Sequence, residues 1–176
     1  KYHKWHINAS LGLGTSPHDI FDEYTAHFGG GIKDLFPVID TEIGKLGTMT
    51  CHDGCTPEVS RALGYNGAEI ICHPGAIQEV EGVSEPWVFW EVSRRTRAHD
   101  NMCYLLGANW GSVNYEYYPK AFCPGHSFAI DYTGMLLREA PYPAEQVLSV
   151  TIDIEALRHY RTRTNHNCWI DVRTEG

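Results

Sequence analysis

Cys51 closes the apolar run Leu46–Cys51, and a few residues later Thr56-Pro57-Glu58 carries the marks of a helix start. Threonine is a good N-cap, proline suits the first helical position, and a glutamate is favourable beside the positive end of a helix. A cysteine at such a strand-to-helix junction lies near the helix dipole, which favours the thiolate, and near free backbone N–H groups, which offer a site for an oxyanion. Those are the requirements of a thiol nucleophile. Inert cysteines at strand ends are common, so the spacing alone leaves a structural cysteine open. A zinc site is a second use of the same neighbourhood, drawing on Cys51, His52, Cys55, Cys72 and His73 with His3 and His6 beside them. The Cys51-x3-Cys55 spacing allows it. Cys72 and His73, however, are adjacent on a strand and point to opposite faces, so no metal is expected.

The elements that must position Cys51 can be read from the apolar pattern. Lys1 to Ile7 alternates like a strand, and a long polar stretch from Asn8 to Leu35 follows, with a helical turn near Ile20 to Phe28. Phe36 to Ile43 and Leu46 to Cys51 read as two strands joined through Gly44-Lys45. Thr56 to Gly67 reads as a short helix stopped by Asn66-Gly67. Ala68 to His73 is an apolar strand, Pro86 to Asn101 a helix carrying its arginines outward, and Met102 to Asn109 another strand. Beyond them come Phe128 to Asp131 and Met135 to Glu139 around the turn Tyr132-Thr133-Gly134, a strand Val147 to Ile154, and a helix from about Glu155. Strand and helix in alternation predict an α/β domain with a largely buried sheet.

With 43% hydrophobic and 20% charged residues over 176 positions, the chain can close one sizeable core, and residues 1–176 are expected to form a single domain. Acidic residues outnumber basic ones, 22 to 14, and a formal charge of −8 repels a phosphate backbone. Nucleic acid is therefore not an expected partner. The clusters Arg94, Arg95, Arg97 and Arg158, Arg161, Arg163 read as solvated or salt-bridged helix faces with no function of their own. No apolar run approaches the length needed to cross a bilayer. The six cysteines contain no C-x2-C pair, and several lie in apolar runs where a free thiol behaves as a small hydrophobe, which fits a reducing, cytoplasmic compartment.

The run Gly47-Thr48-Met49-Thr50-Cys51-His52-Asp53-Gly54-Cys55-Thr56-Pro57-Glu58-Val59-Ser60-Arg61, followed by Gly67-Ala68-Glu69-Ile70-Ile71, resembles the nucleophile signature of the nitrilase superfamily of carbon-nitrogen hydrolases. Lys1-Tyr2-His3-Lys4-Trp5-His6 is similar to that family's Tyr-x-Lys-x-His strand. Trp90-Glu91 with Arg97-Ala98 and Asn101, then Gly107-Ala108-Asn109, and Gly125-His126-Ser127 with Gly134, resemble its later elements. The ordered matches extend from Lys1 to about Arg161.

The resemblance implies an α-β-β-α sandwich, here in part, and a Cys, Lys and Glu mechanism that needs no cofactor. Cys51 would attack an amide or nitrile carbon, a glutamate would carry the proton, and Lys4 with the backbone N–H of His52 would hold the oxyanion. Asp53 and Glu58 are expected to brace the nucleophile turn. Glu23, 19 residues after Lys4, matches the second glutamate that many members place near the lysine. The general-base glutamate precedes the lysine strand in the family, so the 176 residues are expected to belong to a longer chain lacking its N-terminal portion here. His73, Trp110 and the aromatic stretch Tyr115 to Phe122 are the expected pocket walls. Where nitrilases usually follow the cysteine with Trp and Glu, this chain has His52 and Asp53, which favours amide cleavage. Carbamoyl-amino-acid hydrolases place arginines where Gly54 and Cys55 stand, so a small neutral amide is the expected substrate. Nitrile or N-carbamoyl amino acid hydrolysis is the alternative, and a non-catalytic homologue the reading from another class. The family's habit of pairing subunits implies a homo-oligomer.

Overall fold

The computed structural model describes residues 1–7, 14–76, 79–80, 88–114, 121–140 and 144–162. A 3₁₀ turn at Pro17–Ile20 leads into α1 (Phe21–Phe28) and the single turn α2 (Ile32–Leu35). Strands β1 (Ile39–Thr41) and β2 (Gly44–Thr48) form a hairpin whose two connecting residues are Glu42 and Ile43, two positions earlier than the sequence pattern places the turn. The Thr41 hydroxyl closes it by donating to the Gly44 carbonyl at 2.6 Å. Then come a 3₁₀ turn at Cys51–Cys55, α3 (Pro57–Tyr65), β3 (Ile70–Gly75), β4 (Glu79–Val80), α4 (Val88–Asn101), β5 (Tyr104–Asn109), β6 (Gly111–Asn114), β7 (Ala121–Pro124), β8 (Phe128–Ile130), β9 (Leu136–Glu139) and α5 (Ile154–Thr162).

Six strands form one sheet in the order β1-β2-β3-β5-β8-β9, and β4-β7-β6 form a smaller antiparallel sheet. The pairs β2–β3 and β3–β5 are parallel, with α3 and α4 as their crossovers, while β1, β8 and β9 run antiparallel at the two flanks. Parallel pairing follows from the two helical connections, since a hairpin cannot join parallel strands. This is the α/β class that the strand and helix alternation predicts.

Side chains along the central strands alternate between two apolar layers, as a strand's period of two requires. Ile71 and Leu105 face a cluster with Val59 and Leu63 of α3 and Ala98 of α4, whereas Ile70, Tyr104 and Leu106 face Leu157 and Ile154 of α5. Burying each such large aliphatic stabilises the fold by about 1.5–3 kcal/mol. On the second face α5 is also tied by charge. Arg158 Nε pairs with Glu69 Oε1 at 2.7 Å, and Arg161 Nε donates to the Met102 carbonyl at 2.9 Å. Arg158 thus forms the salt-bridged face that the sequence allows, Arg161 anchors α5 to the backbone, and Arg163 lies outside the described residues.

Two strands expected from the sequence are not strands. The Trp5 and His6 amides donate to the Asp53 carboxylate and not to a neighbouring strand, so the segment 1–7 enters no sheet among the described residues. Residues 147–153 run without helix or strand, and Val147 is 92% exposed. None of the helices among the described residues is long and apolar enough to cross a membrane.

Register also sets one steric constraint near the site. His73, Gly107 and Phe128 lie side by side across β3, β5 and β8. A methyl group on Gly107 would meet Phe128 Cε1 at 2.0 Å, so the ring fills the space a side chain would occupy. Gly107→Ala is expected to cost about 1–3 kcal/mol in urea unfolding. Combined with Phe128→Ala it should cost less than the sum of the two single changes by at least about 1 kcal/mol, because each removes one side of the same clash.

Candidate active site

Cys51 opens its 3₁₀ turn with φ at 51°, a left-handed backbone that a non-glycine residue holds only where its surroundings enforce it. The sequence places Cys51 at the end of a strand, close to a helix that starts at Thr56, and the structure puts a separate 3₁₀ turn between the two. Pro57 disfavours a helical conformation in the residue before it. Thr56 is accordingly extended, at φ −105° and ψ 148°, and breaks the path between the cysteine turn and α3. Thr56 also makes no side-chain cap bond to α3; its hydroxyl lies 3.3 Å from His6 Nδ1. The N–H groups nearest Cys51 are therefore those of its own turn, where the first amides lack intrahelical acceptors.

Asp53, wholly buried, joins this turn to the lysine segment. Its Oδ2 accepts from the Tyr2 hydroxyl at 2.6 Å and from the Thr50 amide at 2.9 Å; its Oδ1 accepts from the His6 amide at 2.7 Å and the Trp5 amide at 3.1 Å. The bracing role expected of Asp53 is what these four bonds perform. A buried carboxylate is tolerable only when satisfied in this way. Burial and the adjacent Asp53 charge push the Tyr2 phenol up, which keeps it a donor. Lys4, half-buried, stands in the chain between Tyr2 and Trp5, both bound to Asp53. Burial, then the charges of Lys4 and His6, lower the His52 imidazole, so the Lys4 ammonium acts on the residue next to Cys51.

Beneath the turn, His73 Nε2 meets the Cys51 carbonyl at 2.9 Å. His73 is 2% exposed and holds the turn from the inside, where the sequence reading makes it a wall of an open pocket. Burial first, then the positive Arg94, push its imidazole down to about 4. Gly54 makes the approach possible: a methyl group there would stand 2.6 Å from His73 Cε1. Phe128 packs edge-on against His73 with centroids 6.3 Å apart, and the Arg94 guanidinium lies 4.9 Å from the Phe128 centroid. Arg94 is only 3% exposed and Arg97 Nη2 reaches the Cys55 carbonyl at 3.5 Å, so these two arginines of α4 point into the protein behind the cysteine turn and do not form a solvated stripe. The charge pattern along the helix could not separate the two cases.

The remaining expected residues are spread more widely. Glu23 is exposed in the first turn of α1, and no hydrogen bond or ion pair links it to Lys4 or Cys51 among the described residues. The neighbouring Tyr24 is the residue that turns inward, its hydroxyl 3.0 Å from His3 Nδ1. Trp110, 46% exposed, lies between β5 and β6. Residues 115–120 of the aromatic stretch fall outside the described residues. Cys55, next to the nucleophile, has its thiol pushed up to about 11, by burial first and by its proximity to Cys51 second, and stays protonated. Cys51, Cys55, Cys72 and Cys103 are all free.

Comparison with known proteins adds the following. A family model described as carbon-nitrogen hydrolase matches residues 1–162. A Schizosaccharomyces pombe protein named probable nitrilase C965.09 is 30% identical over 159 residues, covering 88% of this chain and 53% of its own length. The deaminated glutathione amidase of Yersinia enterocolitica is 32% identical over 130 residues, covering 72% of this chain and 41% of its own. Among solved structures, a carbon-nitrogen hydrolase from Helicobacter pylori G27 superposes with a TM-score of 0.63 at 31% identity, over 70% of this chain and 45% of that one. The chain spans about half, or less, of the length of the curated relatives it matches.

Two outcomes follow from the geometry of Asp53 and His73. Asp53→Asn keeps the shape but turns an N–H₂ toward donors, and is expected to cost about 3 kcal/mol or more in urea unfolding, because at least one buried donor loses its charged acceptor. His73 is neutral when folded and takes up a proton more readily when unfolded, since its folded value of about 4 lies below the ordinary 6.5. Its contribution is therefore complete above pH 6.5 and lost as pH falls from 6.5 to 4, up to about 3 kcal/mol. His73→Gln should flatten that part of the stability profile, measured by urea unfolding across pH 4 to 7.

Proposed function

Because this chain belongs to the carbon-nitrogen hydrolase family, with its family model matched from residue 1 to 162, we propose that it is a thiol amidohydrolase that cleaves a non-peptide C–N bond of a small amide through a thioester on Cys51. The observation that carries the reading is the Asp53 carboxylate. It binds the Trp5 and His6 amides on one side and the Thr50 amide on the other, so the lysine segment and the nucleophile turn are fixed to a single buried charge.

In this reading the Cys51 thiolate attacks the amide carbon, forming the S–C bond and placing negative charge on the former carbonyl oxygen. The Lys4 ammonium and the His52 N–H receive that oxygen. Collapse re-forms the carbonyl, breaks the C–N bond and expels ammonia or an amine, which leaves with the proton the thiol gave up. By resemblance to the family a glutamate preceding the lysine segment carries that proton, and Glu23 is the second glutamate, assisting near Lys4. Water then attacks the thioester through the same oxyanion, releases the carboxylic acid and returns Cys51 to its thiol. Amide cleavage is favoured over nitrile cleavage by His52 and Asp53 following Cys51, and one of the similar proteins is itself named an amidase.

Ammonia release over a panel of small amides and nitriles, with intact-mass detection of the acyl-enzyme, tests the reading. Cys51→Ala is expected to abolish both turnover and adduct, whereas Cys55→Ala leaves much of the turnover. Lys4→Ala should lower turnover by two to three orders of magnitude with the fold intact, about 3–4 kcal/mol of transition-state stabilisation. Full turnover by the Cys51 variant would assign the nucleophile elsewhere.

A further inference from the structure

The Cys51 carbonyl and the His52 N–H belong to one peptide unit. That unit is planar and trans, so its C=O and N–H point in opposite directions, and whatever fixes the oxygen also aims the hydrogen. The oxygen is fixed by His73, whose Nε2 lies 2.9 Å away. We propose, on the footing of the amidohydrolase reading, that His73 is a positioning residue for the oxyanion site: its Nε2–H holds the Cys51 carbonyl beneath the turn and so turns the His52 N–H toward the substrate oxygen.

Four features support this assignment. A carbonyl only accepts, so Nε2 carries the proton, and the buried Nδ1 has no hydrogen-bond partner among the described residues; the ring is the neutral Nε2–H tautomer. Burial pushes the imidazole down to about 4, which preserves that tautomer throughout the neutral range. The ring cannot drift, because it stands on β3 between β2 and β5, 2% exposed, with Phe128 edge-on beside it. Finally, Gly54 leaves the space that the ring occupies at this point of the turn, since a Cβ there would come within 2.6 Å of Cε1 and 2.8 Å of Nε2. Cys51 itself holds φ at 51°, so its peptide orientation has to be enforced from outside, and the Thr50 amide on Asp53 and the Cys51 carbonyl on His73 enforce it from the two sides. A hydrogen bond accepted by the carbonyl also polarises the peptide and strengthens its N–H as a donor.

The experiment uses the full chain and three variants: His73→Phe, which keeps a ring and loses the donor; His73→Gln, which keeps a donor; and Gly54→Ala, which displaces the ring without changing it. Each is assayed for kcat and KM of ammonia release and for the rate of Cys51 alkylation by iodoacetamide, a displacement that creates no oxyanion. Loss of an oxyanion donor lowers kcat by about 10²–10³-fold, so His73→Phe is expected to fall by about 10²-fold in kcat with KM and alkylation within about 3-fold of the parent. His73→Gln should recover at least about tenfold of that loss, and its pH profile between 6 and 9 should match the parent, as no ionisation of His73 lies in that range. If His73→Phe does not fold, Gly54→Ala decides, with the same split between turnover and alkylation. Turnover within about 3-fold of the parent in the folded variants, or alkylation falling in step with turnover, overturns the inference. A parent protein that alkylates at Cys51 but releases nothing from any amide overturns the hydrolase reading and this inference with it; an active parent with an unaffected His73→Phe overturns the inference alone.

Discussion

A single buried charge sets the geometry on which the rest depends. Asp53 is wholly enclosed, and a lone carboxylate in that environment would cost several kcal/mol. It is retained because four donors from two separate segments converge on it: Tyr2, Trp5 and His6 from one, Thr50 from the other. Charge-assisted bonds of this kind are the stronger class, and the three from Tyr2, Trp5 and His6 join segments 47 to 51 residues apart in the chain, while the Thr50 amide closes the turn locally. Lys4 lies between Tyr2 and Trp5. Its position relative to Cys51 is thus a consequence of Asp53, which satisfies the Trp5 and His6 amides of the lysine segment.

From the other side the turn rests on the central sheet. The parallel strands β2, β3 and β5 carry Met49, His73 and Gly107 into the space below Cys51, with the Met49 amide still bonded to the Cys72 carbonyl at 3.1 Å. His73 on β3, Phe128 on β8 and Arg94 on α4 then fill that space in sequence, each close to the next. Burial lowers the Arg94 guanidinium to about 10, still well above neutrality, so a fixed positive charge lies behind the turn while His73 beside it stays neutral. One charged group and one uncharged donor therefore support the Cys51 turn from beneath, and a negative Asp53 supports it laterally.

Much of this frame was legible in the chain. Apolar runs of strand length separated by helix signals located β3, β5, α3 and α4, which bury apolar residues, while the turn residues Gly44 and Tyr132-Thr133-Gly134 pointed to β2 and to the β8–β9 hairpin. The losses have specific physical causes. Thr56 does cap α3, extended as an N-cap is and followed by Pro57 at the first helical position, but its hydroxyl lies beside His6 and makes no bond back to the helix, and that competition is not visible without the fold. The segment from Lys1 has strand periodicity because it is half-buried, but periodicity reports burial and not pairing. Arg94 and Arg97 carry the same local pattern as solvated arginines, and only the packing of α4 behind the cysteine turn separates them. At the candidate site two separate motifs name Cys51 and Asp53 in one and Lys4 in the other, and the structure joins their segments through Asp53; the bond of His73 depends on a partner 22 residues away and was invisible along the chain.

Gly54 shows how sequence can suggest the wrong reason for a residue. In the motif it stands where carbamoyl-amino-acid hydrolases carry a cation, so its lack of charge reads as a statement about substrate. In the fold it has a prior obligation: any side chain would collide with the His73 ring and lift it from the Cys51 carbonyl. A chain that uses histidine at position 73 must therefore use glycine at 54, whatever its substrate. What remains informative about substrate charge is Cys55, whose thiol burial keeps protonated, together with the fact that the cations nearest it are turned inward, Arg97 on the Cys55 carbonyl and Arg94 against Phe128. With those two guanidinium groups engaged in holding the turn, the preference for a neutral amide rests on Cys55 and on the orientation of α4, and position 54 adds nothing to it.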